Sequence, residues 1–206
     1  MAFNVTVLTL FPELFPGPLG ASITGKAIEK ELLSLRTINI RDFATDKHKT
    51  VDDTPAGGGA GMVMKPDILG SAIELALSDQ KSGKVIYLSP RGKPLTQDIV
   101  KILAQENHLI LLCGRYEGVD QRVIDEWDIE EISIGDYVLT GGEIPAYVLI
   151  DACTRLQEGV LGDMGSLDEE SFSNGLLEYP HYTRPKIWKN RQIPEILISG
   201  HHEKIK

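Results

Sequence analysis

Three features of the sequence predict an α/β domain built on a mainly parallel sheet. Short, unbroken apolar segments succeed one another in mid-chain: Lys84–Leu88, His108–Cys113 and Glu131–Ile134. Helical segments separate and follow them, at Thr96–Ala104, Asp120–Glu126 and Ile144–Leu156. Each apolar segment also runs into a glycine-bearing loop, Ser89–Pro94, Gly114–Gly118 and Gly135–Gly142. Strand–helix alternation is the pattern of parallel sheets, and strands without polar alternation are covered on both faces. Ligands of such sheets bind beyond the carboxyl ends of the strands. Three glycine-bearing loops there predict a pocket lined by backbone groups. Tight strand–helix turns would use the same glycines, and the pattern leaves the ligand open.

The remaining elements follow in order. Val5, Val7 and the Leu8–Phe11 run predict a first strand that ends at Pro12. Ala27, Ile28, Leu32 and Leu35 fit a helix over Ile23–Leu35, and Ile38 and Ile40 alternate with polar residues as a second strand would. Asp42–Met62 is polar and glycine-rich, as long functional loops are. Pro66 sits where the first turn of a helix tolerates proline, and Leu69, Ala72, Ile73 and Ala76 continue that helix. The strand–helix pattern stops at Gly162. The expected organisation is one domain over residues 1–162, a flexible linker over 163–175, and a small segment over 176–206.

The chain has 206 residues, of which 42% are hydrophobic, enough for a real core. No apolar run approaches the ~20 residues of a membrane helix, and the N-terminus lacks the pattern of a secretion signal. Cys113 and Cys153 form no paired motif, so neither a disulfide framework nor a zinc site is expected, and the cytoplasm is the expected compartment. A net charge of −9 argues against general nucleic-acid binding. Yet Arg184, Lys186, Lys189 and Arg191 cluster around Trp188, close to Tyr182. Lys47, His48 and Lys49 form a smaller group, and Arg91 and Lys93 another. A local RNA cleft and solvated loop charges are both consistent with these groups.

Other motifs exclude more than they identify. Gly57-Gly-Gly-Ala-Gly61 is not followed by Lys-Ser or Lys-Thr and lacks the dinucleotide-fold spacing, so it is neither kind of phosphate loop. A loop that closes over a substrate and a plain surface loop remain open. Asp52, Asp53, Asp136, Glu143 and Asp168–Glu170 match no metal-binding spacing. Asp151 and Arg155 stand four apart on a helix and could form a surface ion pair. Arg155 also shares a helical stripe with Ile144 and Val148, which could turn it into an interface or cleft.

Four ordered segments carry a resemblance. They are Asp46-Lys-His-Lys-Thr-Val-Asp-Asp53 with its following glycines, Cys113-Gly-Arg-Tyr-Glu-Gly118, Ile134-Gly-Asp-Tyr-Val-Leu-Thr-Gly-Gly-Glu143, and Tyr179-Pro-His-Tyr-Thr-Arg-Pro185. With Ser199-Gly-His-His-Glu203 they resemble the bacterial tRNA (guanine-N1)-methyltransferase family over the whole chain. The resemblance implies a SPOUT fold, an α/β domain with a deep C-terminal trefoil knot, one of the rare exceptions to unknotted topology. It implies a homodimer whose active sites are completed across the interface. It also implies transfer of a methyl group from S-adenosylmethionine to N1 of the guanine at tRNA position 37, immediately 3′ of the anticodon. A requirement for Mg²⁺ would be in keeping with the family.

By the same resemblance, S-adenosylmethionine contacts Tyr87, Leu88, Ser89, Pro90, Gly114, Tyr116, Glu117, Gly118, Ile134, Gly135, Asp136, Tyr137, Val138, Leu139, Gly141, Gly142 and Pro145. His48, Asp52, Gly58, Gly59 and Arg115 are the implied substrate-binding residues. Guanine N1 carries a proton at neutral pH, so a general base must remove it as the methyl group arrives. Negative charge then grows toward O6, where a guanidinium stabilises it. The resemblance gives that role to Arg155. The family pattern has an aspartate directly before Ser-Phe in the linker. Here Glu170 precedes Ser171-Phe172, so Glu170 is the expected base, with Asp168 or Glu169 as substitutes if the register shifts. The chain stops at Lys206, where the family continues as a helical tRNA-gripping domain, so residues 176–206 are expected to be the start of that domain, cut short. A SPOUT enzyme with another RNA target, a non-catalytic RNA-binding module and a nucleotide enzyme are the competing readings.

Overall fold

The computed structural model describes residues 2–78, 83–162, 171–172 and 177–200. The chain divides into two units, Met1–Met164 and Gly165–Lys206. In the first, five strands form one sheet in the order β2-β1-β6-β5-β7, with every neighbouring pair parallel. These strands are β1 (Phe3–Thr9), β2 (Leu33–Asn39), β5 (Lys84–Pro94), β6 (His108–Leu112) and β7 (Glu130–Ser133). The two-residue strands β3 (Asp52–Asp53) and β4 (Val63–Met64) pair antiparallel apart from the sheet. The helices are α1 (Ser22–Glu29), α2 (Pro66–Ser78), α3 (Gln97–Leu103), α4 (Gln121–Glu126) and α5 (Glu143–Thr154).

Both sheet faces are buried, as the apolar strands require. On one face Leu8, Tyr87, Ile110 and Leu112 pack with Leu69, Ile73 and Val123 of α2 and α4. On the other, Val7, Ile86, Leu109 and Leu111 pack with Ala27, Val100 and Ile150 of α1, α3 and α5. Central β6 is buried at all five positions. Each face therefore has its own apolar layer, and the strand ends are left free to build loops.

The second strand, expected to include Ile40, ends at Asn39, and Ile40 opens a 3-10 helix over Ile40–Phe43; two further departures are larger. The helix read over Ile23–Leu35 stops at Glu29. Glu31 takes a left-handed φ of 57°, and β2 starts at Leu33 in register with Phe3. Leu33 and Leu35 fit a helical stripe and alternate strand positions equally, and pairing with β1 decides between them. Ser89–Pro94, read as a loop, is counted within β5. Its pairing with β7 jumps, because both Leu88 and Lys93 register with Ile132. The intervening residues bulge out at the end of the sheet.

In the second unit, β8 (Ile187–Trp188) and β9 (Arg191–Gln192) form a hairpin, and α6 (Glu195–Ile198) is one turn. Lys189 and Asn190 take φ of 47° and 62°, the pattern of a tight two-residue hairpin turn. It presents Trp188 and Arg191 to solvent.

Candidate active site

The sheet order sets β6, β5 and β7 side by side, so the three glycine-bearing loops leave from adjacent strand ends. They enclose a cavity of about 320 Å³, within the range of small-molecule sites. Its wall comes from residues 87–91, 114–119 and 132–135, from 137–142, and from Pro145 on α5.

Close backbone approach shapes this cavity. A Cβ on Gly114 would lie 2.7 Å from Tyr87 Cε2, and one on Gly142 would lie 2.6 Å from Cys113 Cα. The Gly142 N–H donates to the Gly114 carbonyl at 3.1 Å, fastening the third loop to the second. The Ser133 hydroxyl donates to the Gly135 carbonyl at 3.0 Å and accepts from the Gly135 N–H at 3.2 Å, closing the turn after β7. Burial pushes the Tyr87 phenol pKa up, with Glu131 adding to the effect, so the ring stays neutral beside the cavity. Burial likewise holds the Cys113 thiol well above its usual range, and Cys153 is pushed up to about 12. Both are inert thiols rather than nucleophiles.

One buried ionic contact ties the second loop to the third. Arg115 Nη2 lies 2.8 Å from Glu143 Oε2. The approach is off the N–H axis, so Oε2 takes no directed hydrogen bond. Arg115 Nε donates to Oε1 at 3.4 Å and Nη1 to the Thr140 carbonyl at 3.2 Å. Glu143 is only 2% exposed and sits in the first turn of α5, where the helix dipole favours an acid.

The cavity wall includes every residue expected at the cofactor except Asp136, which stands in the same loop but not on the wall. Arg115, expected to bind substrate, is on the wall too. His48, Asp52, Gly58 and Gly59 are not. The segment that carries them is nonetheless stitched to the second loop. Met64 N–H donates to the Gly118 carbonyl, and Glu117 N–H donates to the Met62 carbonyl, both at 2.9 Å. Asp46 orders the turn by accepting from the N–H groups of His48 and Thr50, and the Thr50 bonds lower its carboxyl pKa. Gly58 and Gly59 have φ of 83° and 130°, Gly58 in open space and Gly59 beside the Pro55 ring.

Arg155 is the C-terminal cap of α5 and half-buried. Gly142 and Pro145 touch the cavity at the other end of that helix, roughly 15–20 Å away at ~1.5 Å per residue. Glu170, Asp168 and Glu169 lie outside the described residues. The sequence reading missed Val119, Ile132, Ser133 and Thr140 on the wall. It noted Arg91 only as half of a basic pair. Arg91 pairs with Glu131 at 3.2 Å, across the bulge at the end of β5.

The wall suits S-adenosylmethionine. Leu88, Ile134, Leu139 and Pro145 offer apolar surface for a base ring, and the glycine loops offer backbone groups to its edges. Glu117 with Arg91 can meet an amino-acid moiety that carries both charges. Among the described residues, no group of three or more His, Cys, Asp or Glu side chains is set to hold a metal. Nor is any helix long and apolar enough to cross a membrane.

These features define an α/β domain with a cavity of small-molecule size beyond the ends of its parallel strands. The family model described as tRNA (Guanine-1)-methyltransferase TrmD matches residues 3–206. A tRNA (guanine-N(1)-)-methyltransferase of Rhodospirillum rubrum is 60% identical over 205 residues, covering 100% of this chain and 85% of its own length. Those of Wolbachia pipientis and Novosphingobium aromaticivorans are 54% and 57% identical, covering 100% of this chain and 88% and 83% of their own. The chain belongs to the tRNA (guanine-1)-methyltransferase family, which is of the SPOUT type.

Proposed function

We propose that this chain transfers the methyl group of S-adenosylmethionine to N1 of guanine 37 of tRNA, immediately 3′ of the anticodon. The observation that carries the reading is the meeting of the family's motif residues, spread over three loops, around one cavity. Bound S-adenosylmethionine supplies an electrophilic methyl group on a sulfonium. The wall residues from Tyr87–Pro90, Gly114–Gly118 and Ile134–Pro145 hold it, and their backbones cross as a trefoil knot. Glu170 takes the N1 proton, and the Arg155 guanidinium meets the charge that grows on O6.

The placement of Arg155 supports a homodimer. An arginine about 15 Å along α5 from the nearest wall residue of its own cavity is too far to act there. Ile144 and Val148 stand 54% and 44% exposed on the stripe leading to it. A second copy docked on this stripe would bring Arg155 to the neighbouring cavity and cover the apolar side chains. His48, Asp52, Gly58, Gly59 and Arg115 receive the guanine and its flanking RNA. Residues 176–206 form a tRNA-binding segment joined through the 163–175 linker. There the exposed Tyr182 and Trp188 offer stacking, and Lys186 and Arg191 offer phosphate contacts. The cytoplasm is the compartment of such chemistry.

The test is transfer of label from S-adenosylmethionine to unmodified tRNA transcripts carrying guanine or adenine at position 37. Labelling of the guanine transcript alone is expected. Equal labelling of both would point to another RNA target, and no binding of S-adenosylmethionine would remove the methyltransferase reading. The same assay with and without a chelator decides whether Mg²⁺ is needed.

A further inference from the structure

Glu143 is a carboxylate buried to 2% exposure that does not itself line the cavity. Burying a charge is costly unless it is paired and hydrogen-bonded. Glu143 has both kinds of partner. The Thr9 hydroxyl at the end of β1 donates to Oε1 at 2.7 Å. That hydroxyl in turn accepts from the Phe11 N–H at 3.0 Å. The Phe11 ring lies under Arg115, with Cζ 4.4 Å from its centre. Arg115 thus has an aromatic floor, a carboxylate partner and the Thr140 carbonyl. Its side chain is 21% exposed, and Arg115 is on the cavity wall.

Packing alone does not call for this arrangement. A buried ion pair is weak evidence of stability, because an apolar pair of the same shape often serves as well. It does fix a direction. A guanidinium held on three sides keeps its remaining donors pointing one way, which lowers the cost of meeting a ligand. The elements involved are β1, the loop after β6, the loop after β7 and α5, so the contact joins two of the three cavity loops to the sheet.

We propose that Glu143, braced by Thr9, is a positioning residue for the transfer reaction, acting through Arg115 on the RNA side of the cavity. The proposal rests on the tRNA methyltransferase reading. Glu143→Gln keeps the shape and removes the charge, and Thr9→Val removes the brace while leaving the carboxylate. Should the buried glutamine prevent folding, Thr9→Val carries the same test.

Two readouts decide it. The first is kinetic. Glu143→Gln lowers kcat/KM for tRNA by about tenfold to a hundredfold, the scale of a displaced reacting group, while affinity for S-adenosylmethionine is retained. In an Arg115→Ala background the same change costs almost nothing further, because the two residues act as one unit. An equal cost in both backgrounds overturns the proposal. The second is the Arg115 Nε–Hε signal in nitrogen-labelled protein, assigned by its absence from Arg115→Lys. It is sharp and slow to exchange in the parent chain and is lost or broadened in Glu143→Gln and Thr9→Val. A signal unchanged by both variants overturns the proposal. If the parent chain methylates no tRNA, the functional reading fails, and the Arg115 signal still decides the role of Glu143.

Discussion

Tyr87 occupies the space that a side chain at residue 114 would need. The ring of one cavity loop closes against the bare backbone of the next, with Cε2 2.7 Å from where a Cβ would stand. Gly114→Ala must therefore push the ring aside or shift the loop after β6. The expected cost is about 1–3 kcal/mol of stability, the scale of overpacking, with a larger loss of affinity for S-adenosylmethionine than of fold. Titration of the ligand alongside a thermal melt checks this. Full affinity in the alanine variant would mean that the ring is not part of the wall.

The proposed chemistry separates binding from transfer. Glu170→Ala and Arg155→Ala should leave S-adenosylmethionine binding near that of the parent chain. Removing a general base costs about 10²–10⁴ in rate, and removing a donor to a growing oxyanion about 10²–10³. Single-turnover methyl transfer at saturating tRNA measures both. If Glu170→Ala is fully active while Asp168→Ala or Glu169→Ala is not, the base moves to the neighbouring acid.

The proposed homodimer would be carried by the exposed stripe of α5. Val148→Asp places a charge at a position 44% exposed, where the isolated chain has little to lose. A shift from dimer to monomer in sedimentation is expected, together with loss of transfer. Activity should return when the monomeric variant is mixed with a chain that supplies a complementary charge at the same site. A variant that stays dimeric and active would place the interface elsewhere.

The outer edge of the sheet has a pH-dependent tie. Glu130 lies 2.7 Å from Lys84 Nζ and 3.6 Å from Lys93 Nζ. The bond from Lys84 holds its carboxyl below the usual range, against the opposing effect of burial. Folding then favours the charged form, so its contribution is complete above the unfolded value of about 4.3. It is lost as the pH falls through the lower folded value. Glu130→Gln should cost about 0.5–1 kcal/mol near neutral pH, the scale of a partly exposed pair, and progressively less below pH ~4. Parallel thermal melts across that range measure the convergence. A difference that persists unchanged into acid would assign it to packing.

What was legible in the sequence follows from the range of the physics involved. Central β6 announced itself because burial on both faces demands an unbroken apolar run, and α2 because its stripe is long and begins at a proline. The end of α1 was not legible, because Leu33 and Leu35 fit both periods and only pairing with Phe3 chooses. The bulge after Leu88 is a matter of register against Ile132, which no local pattern encodes. The cavity loops could be located as glycines after strands, but their ligand came only from the ordered motifs. Val119 gave no signal, being an ordinary residue set on the wall by its neighbours, and Thr140 was read only as part of a motif. The tie between Arg115 and Glu143 spans 28 residues and was invisible for the same reason. Glu143 could be noticed only as an acid in a motif. The distance between Arg155 and its own cavity needed the length and direction of α5.

The identity of the nucleoside made by the chain tests the proposed function most directly. Unmodified tRNA with guanine at position 37 would be incubated with the protein and S-adenosylmethionine, digested to nucleosides and separated against standards. One equivalent of 1-methylguanosine, absent when position 37 is adenine, is the predicted result. A different methylated nucleoside, or 1-methylguanosine formed equally on the adenine transcript, would contradict it.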